Sequence, residues 1–223
     1  MSQPADLVAA ARAAGVTDPR VLDAVGAVPR ACFVPPGLVG RAYLDMPLRI
    51  PHGQVTTQPS LVAQMLAALA LVESDRVLEV GTGFGWQTAL LARLAGHVWS
   101  VERWEDIAST ARASLERYGV ENATVVVGDG STGLPAHAPY DAILVAAAFP
   151  RVPAPLAAQL AGGGRLVQPI GPGGAEDVVL FAKRRGRLER KQRVTAAHFV
   201  RLYGEHGFED RLARPRRRRD TVK

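Results

Sequence analysis

Val77-Leu78-Glu79-Val80-Gly81-Thr82-Gly83-Phe84-Gly85 is the stretch that decides the fold. The apolar run over 76–80 reads as a short buried strand, and the glycines behind it read as a tight turn into a helix. Glycine lets a backbone approach a ligand closely and adopt dihedrals that other residues resist. The spacing is G-x-G-x-G, and Trp86 stands where a dinucleotide-binding loop wants its third glycine. No Gly-Lys-Ser/Thr closes the run, so a Walker loop is absent too. Both observations disfavour a diphosphate ligand.

Outward from this turn the chain alternates. A helix is expected over 87–94, a strand over 97–102, and an amphipathic helix over 105–118 that stops at Gly119. Strands follow over 123–127 and 140–145, then a helix over 153–160 and a strand over 164–170. Such alternation predicts βαβ units and a parallel, doubly wound α/β sheet. The runs 175–183 and 192–202 have no clear helix between them and are expected to form an antiparallel hairpin at one sheet edge, giving seven strands in all. Upstream, 5–14 and a segment opened by Asp18-Pro19 read as helices, 37–59 as a loop-rich stretch, and the chain from Ser60 as helical again. The expected organisation is a helical and loop-rich substrate-side segment (1–59), a core (60–208) and a basic tail (209–223).

Composition narrows the setting. The single cysteine, Cys32, allows no internal disulfide and no two-cysteine metal site, so no metal is expected and a reducing, cytoplasmic location is. No apolar stretch approaches the ~20 residues that span a bilayer. The formal net charge is +6, of which the tail contributes four charges, leaving two on the body. On that division the body offers little to nucleic acid, and the tail reads as a solvated terminus.

Two further polar elements join the glycine turn. Glu102 ends the second strand, where a carboxylate can accept hydrogen bonds from both hydroxyls of a ribose. Gly128-Asp129-Gly130 follows the third strand, where a carboxylate can accept from an exocyclic adenine amine. Three such elements at the carboxyl ends of adjacent strands converge on one crevice and favour an adenosine ligand.

E-x-G-x-G-x-G with an acidic residue ending the next strand resembles the cofactor motifs of class I methyltransferases. The resemblance is closer to one family, the protein-L-isoaspartate O-methyltransferases. Val28-Pro29-Arg30, Phe33-Val34-Pro35 and Ala42-Tyr43 with Asp45 resemble its N-terminal pieces. His52-Gly53-Gln54-Val55-Thr56-Thr57-Gln58-Pro59 is similar to its H-G-Q-T-I-S-Q-P loop. Pro139-Tyr140-Asp141, Gly163-Gly164-Arg165-Leu166, Phe199-Val200 and Gly204-Glu205-His206-Gly207 resemble its later half. The fold this implies is a mostly parallel, seven-stranded Rossmann-like methyltransferase sheet with an antiparallel edge hairpin and helical N-terminal additions. The implied cofactor is S-adenosyl-L-methionine, held by Gln54, Val55, Thr57, Gly81, Gly83, Gly85, Glu102, Asp129 and Gly130. The implied acceptor is the free carboxylate of L-isoaspartyl residues in damaged proteins or peptides, whose ester then closes to a succinimide. Thr57 stands in place of the family's serine and is the expected catalytic residue; the backbones of Thr56 and Val200, with Thr57, are the expected peptide-binding groups. Val55 and Pro51 depart from the family pattern and bear on substrate choice.

The chemistry asks for little else. A carboxylate with an ordinary pKa of about 4 is ionised at neutral pH, so its methylation needs no general base. Positioning and a dry site suffice. His52 and His206 read as loop-ordering hydrogen-bonders, and Trp86 and Trp99 as core or adenine-wall residues. Rival functions are weaker. Base methylation at an amino group would bring an Asn/Asp-Pro-Pro-aromatic motif where the chain reads Val145-Ala146-Ala147-Ala148-Phe149-Pro150. A dedicated peptide substrate is permitted by Val55 and Thr57, while a non-enzymatic binding module fits poorly with intact glycines, Glu102 and Asp129. A monomer without membrane or nucleic-acid partners is expected.

Overall fold

The computed structural model describes residues 3–209. Seven strands form one sheet in the order β3-β2-β1-β4-β5-β6-β7. β1 (Arg76–Val80), β2 (His97–Glu102), β3 (Ala123–Val127), β4 (Tyr140–Val145) and β5 (Leu160–Ile170) run parallel. β6 (Glu176–Arg184) and β7 (Arg187–Ala197) extend the sheet antiparallel. The chain winds from β1 to β2 and β3 on one side, then returns to β4 on the other. That reversal opens a crevice at the carboxyl ends of β1 and β4, the position at which open α/β sheets bind ligands.

Both faces of the sheet are covered, which is why β1 is apolar on both faces at Val77, Leu78 and Val80. Val77, Val98, Ala142 and Val167 face one core, together with helices α1 (Pro4–Ala13), α2 (Pro19–Ala27), α3 (Pro59–Leu69) and α4 (Trp86–Leu94). Leu78, Trp99, Ile143 and Leu166 face a second core, closed by Leu156 of α6 (Ala154–Gln159). Helix α5 (Glu105–Tyr118) lies between β2 and β3 in sequence and buries Leu115 in the first core. The N-terminal helices share this core rather than standing apart: Leu7, Val25 and Phe33 are buried with Leu66 and Leu90. Asp18 caps α2 by accepting from the Arg20 amide at 2.9 Å, with Pro19 in the first turn. The Arg20 guanidinium then donates to the carbonyls of Leu71 and Leu94 at 2.5 and 3.1 Å, tying α2 to the segments that leave α3 and α4.

Three expected boundaries change. The helix expected to run through Leu160 ends at Gln159, and β5 starts at once and passes through three glycines. Gly163 has φ +84° and the register with β4 shifts between Tyr140 and Ala142, so the triple glycine makes a bulge inside the strand rather than a loop before it. The last strand starts at Arg187, not 192, because Arg185 (φ +50°) and Gly186 (φ +77°) form a two-residue hairpin turn. Residues 198–202 are not part of β7; they lie beside Ala148, whose amide donates to the Val200 carbonyl at 2.7 Å and whose carbonyl accepts from Leu202 at 2.8 Å. The stretch 37–59 is pinned by 3₁₀ turns at Pro36–Arg41 and Pro51–Gly53 and by an Arg49–Val55 bridge. Apart from Glu209, the basic tail lies outside the described residues.

Candidate active site

The glycine turn leaves β1 over the carboxyl edge of the sheet. Gly81 has φ +96°, and a Cβ there would meet the Ala146 Cβ at 3.3 Å. Gly85 has φ +90° and begins α4, but it does not line the cleft; a Cβ there would press on Leu115 and Ala111 of α5 at 3.3 and 3.5 Å. Its smallness serves helix packing, whereas Gly81 and Gly83 line the cleft itself.

Below the turn lies Glu79, wholly buried. Its carboxylate accepts from Gln87 Nε2 (2.8 Å), Thr88 Oγ1 (2.5 Å) and Ser100 Oγ (2.6 Å). Ser100 Oγ also shares a hydrogen bond of 2.5 Å with Thr82 Oγ1 in the turn. One buried acid thus joins β1, the first turn of α4, β2 and the glycine turn. Burial pushes its pKa up to about 7, against the pull of its three hydroxyl and amide donors.

Glu102 sits at the mouth of the crevice, 7% exposed. Its Oε2 accepts from the Gly83 amide at 3.0 Å, and its Oε1 from the amides of Arg103 and Trp104 at 2.8 and 3.2 Å. Three backbone donors therefore orient the carboxylate before any ligand arrives. Asp129, the expected acceptor of an adenine amine, is also held within the fold. Its Oδ1 accepts from the amide and hydroxyl of Ser131 at 2.8 and 2.7 Å, and its Oδ2 from the Glu205 amide at 2.7 Å. A Cβ on Gly204 would lie 2.0 Å from Oδ1. Asp129 thus latches the 204–207 turn against the end of β3, and Gly130, not Asp129, lines the cleft.

The walls of the cleft include 81–84, 102–104, 54–57 and 200–203. A second cleft adjoins it, between α3 and residues 195–200. The two share Val55, Thr56, Thr57, Ala146 and Val200. No Asp, Glu, Lys or Arg lines the second cleft.

The loop between the clefts is held at three points. The His52 ring stacks on Trp104 at 3.9 Å, and its Nε2 lies 2.9 Å from both oxygens of Asp106, the contact that holds the Asp106 carboxyl below its usual range. Thr56 Oγ1 accepts from Arg30 Nη2 at 2.8 Å and from the Leu48 amide at 3.0 Å. Gln58 Nε2 donates to Asp45 Oδ2 at 2.8 Å, and Asp45 Oδ1 accepts from the Ser60 amide at 2.8 Å. Gln54 Nε2 is turned back on the His52 carbonyl at 3.1 Å. Between the anchored Thr56 and Gln58, the Thr57 hydroxyl has no hydrogen-bond partner among the described residues and lies on the wall common to both clefts. The Val200 carbonyl is taken by Ala148, while its N–H, like the Thr56 carbonyl, has no backbone partner among the described residues.

Two residues with structural weight here carried no assigned role from sequence. Arg30 is 1% exposed and donates to the carbonyls of Ala42, Leu44 and Met46 at 3.3 to 3.4 Å as well as to Thr56. Burial lowers its pKa to about 10, so it stays cationic at neutral pH. The other is Glu79, whose signal was an acid inside an otherwise apolar strand. Trp86 lines the cleft and donates to the Val28 carbonyl at 3.0 Å, whereas Trp99 packs in the second core against Tyr140 and His137, away from the cleft.

A solved structure titled as a protein-L-isoaspartate O-methyltransferase superposes with a TM-score of 0.80 at 30% identity, covering 92% of this chain and 67% of that one. A putative enzyme of the same title from Plasmodium falciparum, solved in complex with S-adenosyl-L-homocysteine, superposes with a TM-score of 0.76 at 21% identity, covering 91% of this chain and 99% of its own. Among curated proteins, the protein-L-isoaspartate O-methyltransferase of Methanoculleus marisnigri is 50% identical over 202 residues, 91% of each chain. That of Anaeromyxobacter dehalogenans is 54% identical over 171 residues, 76% of this chain and 82% of its own. Residues 2–207 match the profile of the protein-L-isoaspartate (D-aspartate) O-methyltransferases, and the chain belongs to that family.

Proposed function

We propose that this chain transfers the methyl group of S-adenosyl-L-methionine to the free carboxylate of L-isoaspartyl residues in damaged proteins and peptides, the first step of their repair. The single observation that carries the reading is the Thr57 hydroxyl, unpartnered among the described residues, on the wall shared by two clefts. The first cleft fits the cofactor. Glu102 is pre-oriented to accept from a ribose, Gly81 and Gly83 leave room for close backbone approach, and Gly130 borders the far end. Bound there, the cofactor supplies a sulfonium methyl group. The chain's own part is to hold the acceptor. Thr57 donates to one carboxylate oxygen, while the Thr56 carbonyl and Val200 N–H bind an extended peptide by β-type hydrogen bonds. No base is needed, because the carboxylate is already ionised. A second cleft without Asp, Glu, Lys or Arg on its walls leaves the carboxylate without a competing counter-ion.

The segment 1–59 supplies the acceptor side through the 54–57 loop, and Gln54 and Val55 border the cofactor through that same loop. We take the enzyme to act as a cytoplasmic monomer. Both clefts are lined by one chain, the sole cysteine makes no disulfide, and no helix among the described residues is long and apolar enough to cross a membrane. The test is the bond formed. Label transferred from methyl-labelled cofactor to an isoaspartyl peptide should be lost as methanol in mild base, as an ester requires. A base-stable label would mean methylation at nitrogen or carbon and would refute the reading.

A further inference from the structure

The charge of this protein is segregated in a way that an average over its body conceals. Residues 183–193, at the tip of the β6–β7 hairpin, carry seven basic side chains and one acidic one, a net of six positive charges. This equals the net charge of the whole chain. With the tail's four positive charges counted, everything else is net negative by four. β7 is the last strand of the sheet, and its residues 189–193 are exposed without a break. Charge on an edge strand blunts edge-to-edge pairing, but that task needs no excess of one sign. Few of these cations are neutralised. Arg190 and Arg193 share the single carboxylate of Asp177 at 3.5 and 2.6 Å, and Lys191 pairs with Glu189. Arg184 acts on Glu189 without a salt bridge, and Arg185 and Arg187 have no carboxylate within salt-bridge distance among the described residues.

The same strand leads into the acceptor site. Thr195, Ala196 and Ala197, the carboxyl end of β7, line the second cleft, whose wall holds no charged residue of its own. At ~3.3 Å per residue, Arg193 lies about 13 Å from Ala197 and Arg187 about 33 Å. We propose that β7 is an extension of the acceptor site that selects isoaspartyl segments flanked by acidic residues, the flank running along the strand's open edge past Arg193, Arg190 and Arg187. The proposal rests on the isoaspartyl reading above and adds to it a substrate class. The cleft reads the rerouted backbone, and the basic strand reads the surrounding sequence by charge. Rim charges of this kind raise encounter rates and lower KM without entering the chemical step.

The experiment uses the full-length enzyme and three peptides with one isoaspartyl core. Positions about four to ten residues away, on both sides, are filled with Glu, Gln or Lys. The Glu-flanked peptide should have kcat/KM ~5–20-fold above the Gln-flanked one, carried by KM, and the advantage should shrink as salt is raised. The Lys-flanked peptide should fall below both. Replacing Arg187→Ser, Arg190→Ser and Arg193→Ser together should abolish the ranking and leave the Gln-flanked rate unchanged. Anisotropy of labelled peptides reports the same ranking without turnover. Equal constants for Glu and Lys peptides, or a ranking that survives the triple substitution, would overturn the proposal. So would an oligonucleotide that binds the hairpin at a salt concentration where the Glu-flanked peptide shows no advantage. Failure of the isoaspartyl reading shows separately, as no transfer to the Gln-flanked peptide.

Discussion

The Arg30 guanidinium, buried beneath the loop, donates to the Thr56 hydroxyl at 2.8 Å, and this contact divides two adjacent threonines between two tasks. Thr56 becomes structural, its oxygen also accepting from the Leu48 amide. Thr57 is left with its hydroxyl unpartnered at the shared wall of the clefts. Arg30→Lys should therefore act on the loop without touching the reacting atoms. An ammonium lacks the planar fork that puts Nη1 on the carbonyls of Ala42, Leu44 and Met46 and Nη2 on the Thr56 hydroxyl. The expected loss is about 2–4 kcal/mol of stability, with kcat/KM falling more than cofactor affinity. Denaturant titration, steady-state kinetics and calorimetry on one preparation check this. Unchanged stability with unchanged kinetics would remove Arg30 from the account.

Thr57 itself should respond by chemistry rather than by folding. Thr57→Val keeps the shape and removes the donor, and should slow transfer by ~10–100-fold, about 1.4–2.7 kcal/mol of transition-state stabilisation. Thr57→Ser should keep or raise the rate, because it retains the hydroxyl and relaxes a stiff χ1. Kinetics of the two variants side by side make the comparison, and equal rates for Val and Thr at this position would show that the hydroxyl plays no part.

The Glu102 carboxylate, fixed by three amides, is the proposed ribose acceptor. Glu102→Ala should weaken cofactor binding by about 1–3 kcal/mol, the loss of charge-assisted hydrogen bonds. Calorimetry with S-adenosyl-L-methionine and with its demethylated product measures it. Unaltered affinity would move the ribose contact elsewhere.

Glu79 predicts a pH dependence of stability with a definite sign. Its carboxyl titrates near 4.5 when solvated and near 7 in the fold, raised by burial. Between these values the folded protein binds more protons than the unfolded one, so this group's contribution to stability falls as pH rises through that window. The decline amounts to something on the order of 3 kcal/mol. Glu79→Gln keeps a polar side chain among the same three neighbours and should flatten the curve over that range. Denaturant midpoints of both proteins from pH ~4.5 to ~7 make the test, and parallel curves would show that Glu79 is not the titrating group.

The sequence made some of this legible because the relevant physics is local. The strand over 76–80 and the turn behind it sit where apolar continuity and glycine spacing put them. Asp18-Pro19 begins α2 as a cap signal should. What was hidden depends on partners far along the chain. Asp129 is 75 and 76 residues from Gly204 and Glu205, whose approach claims its side chain, and nothing in Gly128-Asp129-Gly130 announces that. Arg30 reaches carbonyls and a hydroxyl 12 to 26 residues away. The start of β7 was obscured by its own composition, since a run of cations has no apolar alternation to mark a strand and masks the turn at Arg185-Gly186. Averaging charge over the body hid the hairpin for the same reason.

The most direct measurement of the central claim is methyl transfer to an L-isoaspartyl peptide beside its L-aspartyl twin of identical sequence. The α-carboxylate of the isomer lies off a backbone lengthened by one methylene, and the proposed site assigns the reading of that geometry to the Thr57 hydroxyl on the wall shared by the two clefts. Transfer to the isoaspartyl peptide and none to its twin is the predicted result; equal transfer to both, or transfer to neither, would contradict it.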